Sequence, residues 1–206
     1  MRIEFLSVNP DRAGRYTVKF SDGSVLRLYR QTVEDFSLYN GQTFSEEEFS
    51  ALHTAAGQMS AKMRAVRTVA ASSVSKAELE RRLIYKGENP DHARQAVSWM
   101  EEMELVDDLE TARQIVSRCI GKGYGKARAK QTLYEKRIPK AYWDEVLENY
   151  PDMTDQIEDF LQNKLGGSRD NKDVQKATNA LARRGFTYGQ IRQALSNLDL
   201  VDALED

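Results

Sequence analysis

Apolar positions recur along this chain in one pattern that appears three times. Val74, Leu79 and Leu83 form the first copy, Tyr124, Ala129 and Leu133 the second, and Phe186, Ile191 and Leu195 the third. Each copy opens on a small residue (Ser73, Gly123, Gly185) and carries a turn or capping residue (Ser75, Gly125, Thr187) before the last two apolar positions. Apolar residues four apart mark one face of a helix, so every copy predicts a helix, a tight turn and a short helix. Gly123 follows Ser73 by 50 positions and Gly185 follows Gly123 by 62, which places an insertion within residues 151–173. A unit of about fifty residues with three helices is a common size for helical repeats, each burying its apolar face against its neighbours.

The first thirty residues follow a different rule. Branched and aromatic residues dominate 3–8, 16–20 and 25–29, and Asp22-Gly23 is a hairpin signal, so three short strands are expected. A short helix is expected near 33–39, and Ser45 to Glu48 reads as a capping box before Phe49 and Leu52. From there to Ala71 the pattern predicts two helices or one interrupted helix, with Gly57 the weak point. Asn89-Pro90 opens another helix. Asp107 or Asp108 caps one running to Ile120. Ile138-Pro139 ends the short basic helix and opens a helix over 141–149. Ile157, Phe160, Leu161 and Leu165 predict an amphipathic helix ended by Gly166-Gly167-Ser168, and 171–184 a helix leading into the third copy. The expected fold is mainly all-α: tandem three-helix repeats in an elongated, solenoid-like array, with a small three-strand extension at the start. The expected divisions are 1–57 for the extension, 58–107 and 108–150 for the first two repeats, and 151–206 for a linker helix and the third.

Charge changes this picture. The net charge is −2, yet residues 113–140 carry Arg113, Arg118, Lys122, Lys126, Arg128, Lys130, Lys136, Arg137 and Lys140 against Glu135 alone. Any polyanion contact is therefore local. Cations also mark the first two helices of the other repeats (Lys62, Arg64, Arg67, Lys76, Arg81, Arg82 and Lys86; Lys176, Arg183, Arg184 and Arg192). Acidic residues follow each group, the last being Asp199, Asp202, Glu205 and Asp206. Repeats stacked in one sense would align these into a basic and an acidic strip. The bland alternative for the basic block is a solvated helix face. Tyr124, Tyr134, Tyr142 and Trp143 interleave with it and read first as packing residues, with base stacking the lesser reading.

Catalytic and metal signatures are missing from the pattern. Two histidines, one cysteine and no H-E-x-x-H, C-x-x-C or G-x-S-x-G give neither a metal site nor a nucleophile with a base, so no cofactor is expected. Gly121 to Lys126 fails as a phosphate loop, because Ala127 follows Lys126 and helix precedes it. Glu46, Glu47 and Glu48 read as helix-dipole partners. Cys119 falls in a helical apolar pattern and reads as core. No apolar run approaches the roughly 18 residues of a membrane helix, and the expected compartment is the cytoplasm.

Three segments carry a resemblance: S-K-A-E-L-E-R-R-L-I-Y-K-G at 75–87, G-K-G-Y-G-K-A-R-A-K-Q-T-L at 121–133 and L-A-R-R-G-F-T-Y-G-Q-I-R-Q-A-L at 181–195. From about residue 60 onward the chain resembles the RecX family of recombination regulators, and its β-rich start resembles the extension of longer members. Glu104, where the family usually has glycine, and Thr111, where it usually has an aromatic, depart from the pattern. The resemblance implies a non-enzymatic monomer of three-helix repeats lying in the groove of the RecA filament on single-stranded DNA. There it would modulate, mostly inhibit, ATP hydrolysis, strand exchange and the coprotease step of the SOS response. Arg81, Arg82, Lys122, Lys126, Arg128, Lys130, Arg183, Arg184 and Arg192 are the candidate contacts for filament or DNA. A stand-alone nucleic-acid-binding module and a helical scaffold are the competing classes.

Overall fold

The computed structural model describes residues 1–200, and Asp202, Glu205 and Asp206 of the last acidic group lie outside the described residues. The chain divides into two compact units, Met1–Val106 and the chain from Asp107 on.

In the first unit, β1 (Ile3–Leu6), β2 (Arg15–Phe20) and β3 (Val25–Tyr29) form an antiparallel sheet in the order β1-β2-β3. Gly23, at φ 82°, makes the β2–β3 turn where Asp22-Gly23 predicts it. Helix α1 (Arg30–Asp35) follows β3 directly, earlier than the expected 33–39, and Ser37 at φ 47° turns the chain out of it. Apolar content alone misplaced this element, because β3 already buries Leu28 and Tyr29 and the helix must start where the strand's pattern ends.

Helix α2 (Glu46–Ala71) is one unbroken helix of 26 residues, not an interrupted pair, and it runs through the boundary expected after residue 57. Ser45 and Glu48 close the capping box. Its first half sets Phe49, Leu52 and Ala56 against Ile3, Val18, Phe20 and Leu28 of the sheet. Its second half sets Ala61 and Ala65 against Leu79 and Leu83 of α3 (Lys76–Tyr85) and Ala93, Ala96 and Met100 of α4 (Pro90–Glu102). Gly57 is no break: a Cβ there would collide with the His92 ring, so glycine lets α4 come close.

The second unit holds α5 (Asp108–Gly121), α6 (Lys126–Glu135), a 3-10 turn (Lys140–Tyr142) continued by α7 (Trp143–Leu147), then α8 (Thr154–Leu165), α9 (Asn171–Arg183) and α10 (Tyr188–Asn197). Helix α6 stops at Glu135, before Ile138-Pro139, and the expected helix over 141–149 is shorter and begins as a 3-10 turn. Ala112, Ile115, Cys119, Ala129, Leu133, Ile138 and Leu147 make one core. A second core joins Ile157, Leu161 and Leu165 of α8 to Val174, Ala177 and Leu181 of α9 and Ile191 and Leu195 of α10. Helix α8 thus completes a bundle from its N-terminal side. Among the described residues, strands are confined to the first unit's sheet.

The repeat offsets persist in three dimensions. Helices α3, α6 and α10 are each ten residues long and begin after Ser75, Gly125 and Thr187. Six helices also end alike: the residue after the cap is left-handed and the next N–H donates to the carbonyl five residues back. The left-handed residues are Gly87, Glu104, Gly123, Arg137, Gly185 and Asp199. The closing bonds run from Glu88 to Leu83, Leu105 to Met100, Tyr124 to Cys119, Ile138 to Leu133, Phe186 to Leu181 and Leu200 to Leu195. This ending satisfies carbonyls a helix otherwise leaves open, and after α6 and α9 it places the buried Ile138 and Phe186 against the last turn.

Glu104 adopts φ 56° in a slot that glycine fills without a Cβ penalty. Glu104→Gly is expected to raise unfolding free energy by about 0.5–1 kcal/mol, read as a shifted urea midpoint at unchanged slope. A lower midpoint would show that the Glu104 side chain contributes more than its backbone costs.

Candidate functional site

Cations in this chain fall into two classes by what they touch. In the first unit nearly every basic residue of the helices is engaged. Arg64 Nε lies 2.6 Å from Glu88 and Lys76 Nζ 2.6 Å from Glu101. Arg67 donates to the Tyr29 hydroxyl at 2.6 Å, tying α2 to β3, and Lys62 Nζ sits 5.2 Å from the centre of the Trp99 ring. Arg81 and Arg82 both bond to Glu78, each through Nε at 2.8 Å. Glu78 is buried, at 6% exposure. The Arg81 hydrogen bond, then that of Arg82, hold its carboxyl at about 2 against the ordinary 4.5, outweighing the upward push of burial. Arg81 and Arg82, expected to contact a partner, are therefore first the counter-charges of a buried acid.

The second unit differs. Arg113 pairs with Glu145 at 2.7 Å and Lys176 with Asp173 at 3.1 Å. Lys122, Lys126, Lys130, Lys164 and Arg183 are exposed and make no ion pair among the described residues. Lys126 and Lys130 stand one turn apart on α6, away from the buried Ala129 and Leu133. Arg192 is exposed on α10.

Part of this class converges where the two bundles of the unit meet. The Gly125 N–H donates to the Arg184 carbonyl at 2.9 Å. A Cβ on Gly125 would run into the Gly185 carbonyl, and one on Gly185 into the backbone of Arg128. The start of α6 and the end of α9 thus touch backbone to backbone. Tyr150 braces the same junction by donating its hydroxyl to the Tyr124 carbonyl at 2.6 Å, and burial pushes that phenol up to about 12, keeping it a donor. Above the junction lies an open groove of about 620 Å³ lined by Tyr124, Arg128, Phe160, Lys164, Arg183 and Arg184. The Arg184 guanidinium stacks over Phe160, 4.5 Å from the ring centre, which holds its planar fork in place. Arg128 is drawn only loosely toward Glu135, 3.7 Å away. Such a groove gathers positive charge around a concave wall and suits phosphates or carboxylates.

Of the expected contacts, the structure brings Arg128, Arg183 and Arg184 into this groove, sets Lys126 and Lys130 on the adjoining helix and Lys122 at the end of α5. Lys164 and Phe160 were missed. Both precede the repeat pattern on the inserted α8, and only the position of Phe160 on that helix's apolar stripe hinted that it reaches a neighbour.

No family model matches the chain. Regulatory protein RecX of Vibrio vulnificus (strain CMCP6) is 28% identical over 142 residues, covering 68% of this chain and 93% of that protein. Regulatory protein RecX of Xanthomonas axonopodis pv. citri (strain 306) is 31% identical over 131 residues, which are 62% of this chain and 80% of the relative. The chain belongs to the RecX family. Fold agrees with this membership: a crystal structure of regulatory protein RecX superposes with a TM-score of 0.67 at 17% identity over 95% of this chain and 98% of that one. RecX from Lactobacillus salivarius gives 0.62 at 19% identity, over 71% of this chain and 99% of its own. Of the two departures expected from the resemblance, Glu104 adopts the left-handed backbone and Thr111 is buried at 7% exposure.

Two variants test the division between structural and available charge. Glu78 has a depressed folded pKa, so its stabilisation is complete above about 4.5 and disappears as pH falls toward 2. Glu78→Gln is expected to cost on the order of 2 kcal/mol at neutral pH, and denaturation across a pH series should show the gap closing with acid. A gap as wide near pH 2 as at neutrality would mean that packing, not charge, is lost. Gly125→Ala is expected to cost roughly 2 kcal/mol or more by forcing the junction apart, whereas an unchanged melting temperature would show that the two backbones separate freely.

Proposed function

We propose that this RecX-family chain regulates homologous recombination and the SOS response by binding the RecA filament on single-stranded DNA. In this reading it acts without catalysis and without a cofactor, as a cytoplasmic monomer, and mostly inhibits ATP hydrolysis, strand exchange and the coprotease activity. Family membership supports the RecA-regulator role. The observation that carries the contact surface is the set of uncompensated cations in the second unit, grouped around the groove where α6 meets α9.

Unpaired cations differ in energy from paired ones. Lys76 or Arg64 meeting an external phosphate would first have to leave Glu101 or Glu88, so little is gained. Lys126, Lys130 and Arg183 lose no internal partner on binding, and a phosphate or an acidic side chain arriving there releases counterions or adds a charge-assisted bond. Arg184, already oriented by Phe160, needs less ordering than a free side chain. Both kinds of ligand occur together where a nucleoprotein filament exposes DNA between protein subunits.

The Lys126→Glu, Lys130→Glu, Arg183→Glu variant is expected to require roughly tenfold or more protein to inhibit RecA ATPase on single-stranded DNA, with a shallower salt dependence. Its helical content should match wild type, since these side chains lie outside the buried stripes. Asp144→Lys with Glu148→Lys, added to the triple variant, returns four of the six charges lost and should not restore inhibition if position and not net charge matters. Inhibition at wild-type concentrations would remove this surface from the filament contact. Equal binding to bare DNA with no effect on RecA would instead make the chain a stand-alone nucleic-acid module, and binding to neither a scaffold.

A further inference from the structure

By charge alone, the groove where α6 meets α9 could take phosphates or carboxylates. Arg128 from α6, Lys164 from α8, and Arg183 and Arg184 from the end of α9 surround it, and no carboxylate among the described residues lines it. Four like charges around one concavity repel one another, so the arrangement favours an occupied groove over an empty one. An anion that enters relieves the repulsion.

The aromatic residues of the groove decide between the two anions. A single-stranded nucleic acid binds tolerantly of sequence by laying bases on open ring faces while cations track its phosphates. Neither ring here is free for that role. Phe160 packs on the core of the α8–α10 bundle and lies under the Arg184 guanidinium, 4.5 Å from its ring centre. Tyr124 packs on the core shared by α5, α6 and α7, and its carbonyl accepts from the Tyr150 hydroxyl. The groove therefore offers charge without a stacking platform. That charge is also oriented: the Gly125 N–H fixes the Arg184 carbonyl at 2.9 Å and the Phe160 ring fixes the guanidinium. With both ends of the residue held, the planar fork is preset for a flat partner with two oxygens, and a carboxylate is such a partner.

We infer that this groove is the docking site for an acidic segment of a protein, with one carboxylate paired bidentately to Arg184 and neighbouring carboxylates met by Arg128, Lys164 and Arg183. The inference rests on the filament-binding function proposed above and sharpens it: the groove takes the protein side of the nucleoprotein surface and not its DNA. Phe160 is a positioning residue, because it sets the Arg184 fork without itself meeting the ligand.

The test titrates the full chain, in the absence of RecA, into fluorescein-labelled octaglutamate and separately into labelled oligothymidylate, followed by anisotropy. Octaglutamate is expected to bind saturably. Arg184→Lys keeps the charge but loses the fork, and should weaken octaglutamate about tenfold. Phe160→Ala should do likewise and Phe160→Tyr should restore binding, with melting temperatures measured beside both. None of the three variants should change oligothymidylate affinity. A purely structural role for Phe160 would instead lower the melting temperature and both affinities together. Octaglutamate binding as tight in Arg184→Lys as in the parent overturns the inference, and so does an equal loss of oligothymidylate affinity, which would make the groove a general polyanion site. Because RecA is absent from the titration, either result leaves the filament contact standing. That contact fails separately, if the Lys126→Glu, Lys130→Glu, Arg183→Glu variant inhibits RecA ATPase at wild-type concentrations.

Discussion

A ten-residue helix is too short to persist alone in water, and this chain contains three of them at the repeating position. Each is clamped by the same device. Two side chains one turn apart, Leu79 and Leu83, Ala129 and Leu133, or Ile191 and Leu195, are buried to 1% exposure or less. A left-handed residue then ends the helix and folds an N–H back over its last turn. With the inner face and the end both fixed, only the outer face remains variable. That outer face carries the charge.

How that charge is spent separates the two units. In the first unit it holds the fold together: α2 is tied to the sheet through Arg67, to the α3–α4 connection through Arg64, and α3 to α4 through Lys76. The long helix needs such ties because its two halves serve different cores, one against the sheet and one within the bundle. In the second unit Arg113 ties α5 to α7 through Glu145, but the two bundles are joined by backbone and tyrosine, through the Gly125–Arg184 bond and the Tyr150 hydroxyl. Cations there are left over, and a surface charge without an internal partner is the kind that an external anion can use.

Much of this architecture was legible in the residues. The offsets of 50 and 62 reappear in the starts of α3, α6 and α10, because a buried stripe after a cap is a local rule. The left-handed geometry of Gly123 and Gly185 was legible for the same reason. Gly57 misled, since helix propensity counts a glycine as weakness while the fold uses it to admit His92. The third helix of the second bundle came out short because Pro139 and the left-handed Arg137 delay its start. Charge was the least legible property. Arg64 finds Glu88, Lys76 finds Glu101 and Arg113 finds Glu145 only after helices pack, so a composition that reads as one basic stripe resolves into paired and unpaired members. Arg81 and Arg82 were the exception: three and four residues from Glu78 on one helix, their pairing lay within reach of spacing alone.

The groove and the glycine contact beneath it are one structural fact seen from two sides. Arg184 contributes its carbonyl to Gly125 below and its guanidinium to the Phe160 ring above. Arg128 passes its backbone within reach of Gly185 and its side chain into the groove wall. The cations therefore hang from the very peptide units that join the bundles, and their spacing is set by backbone contact and not by flexible side chains. A groove built this way has its cations placed in advance, which under the proposed function would lower the entropic cost of association. It also means that a side chain added at either glycine would alter the groove without touching a charge: it would widen the junction, and the distance between Arg128 and Arg184 with it.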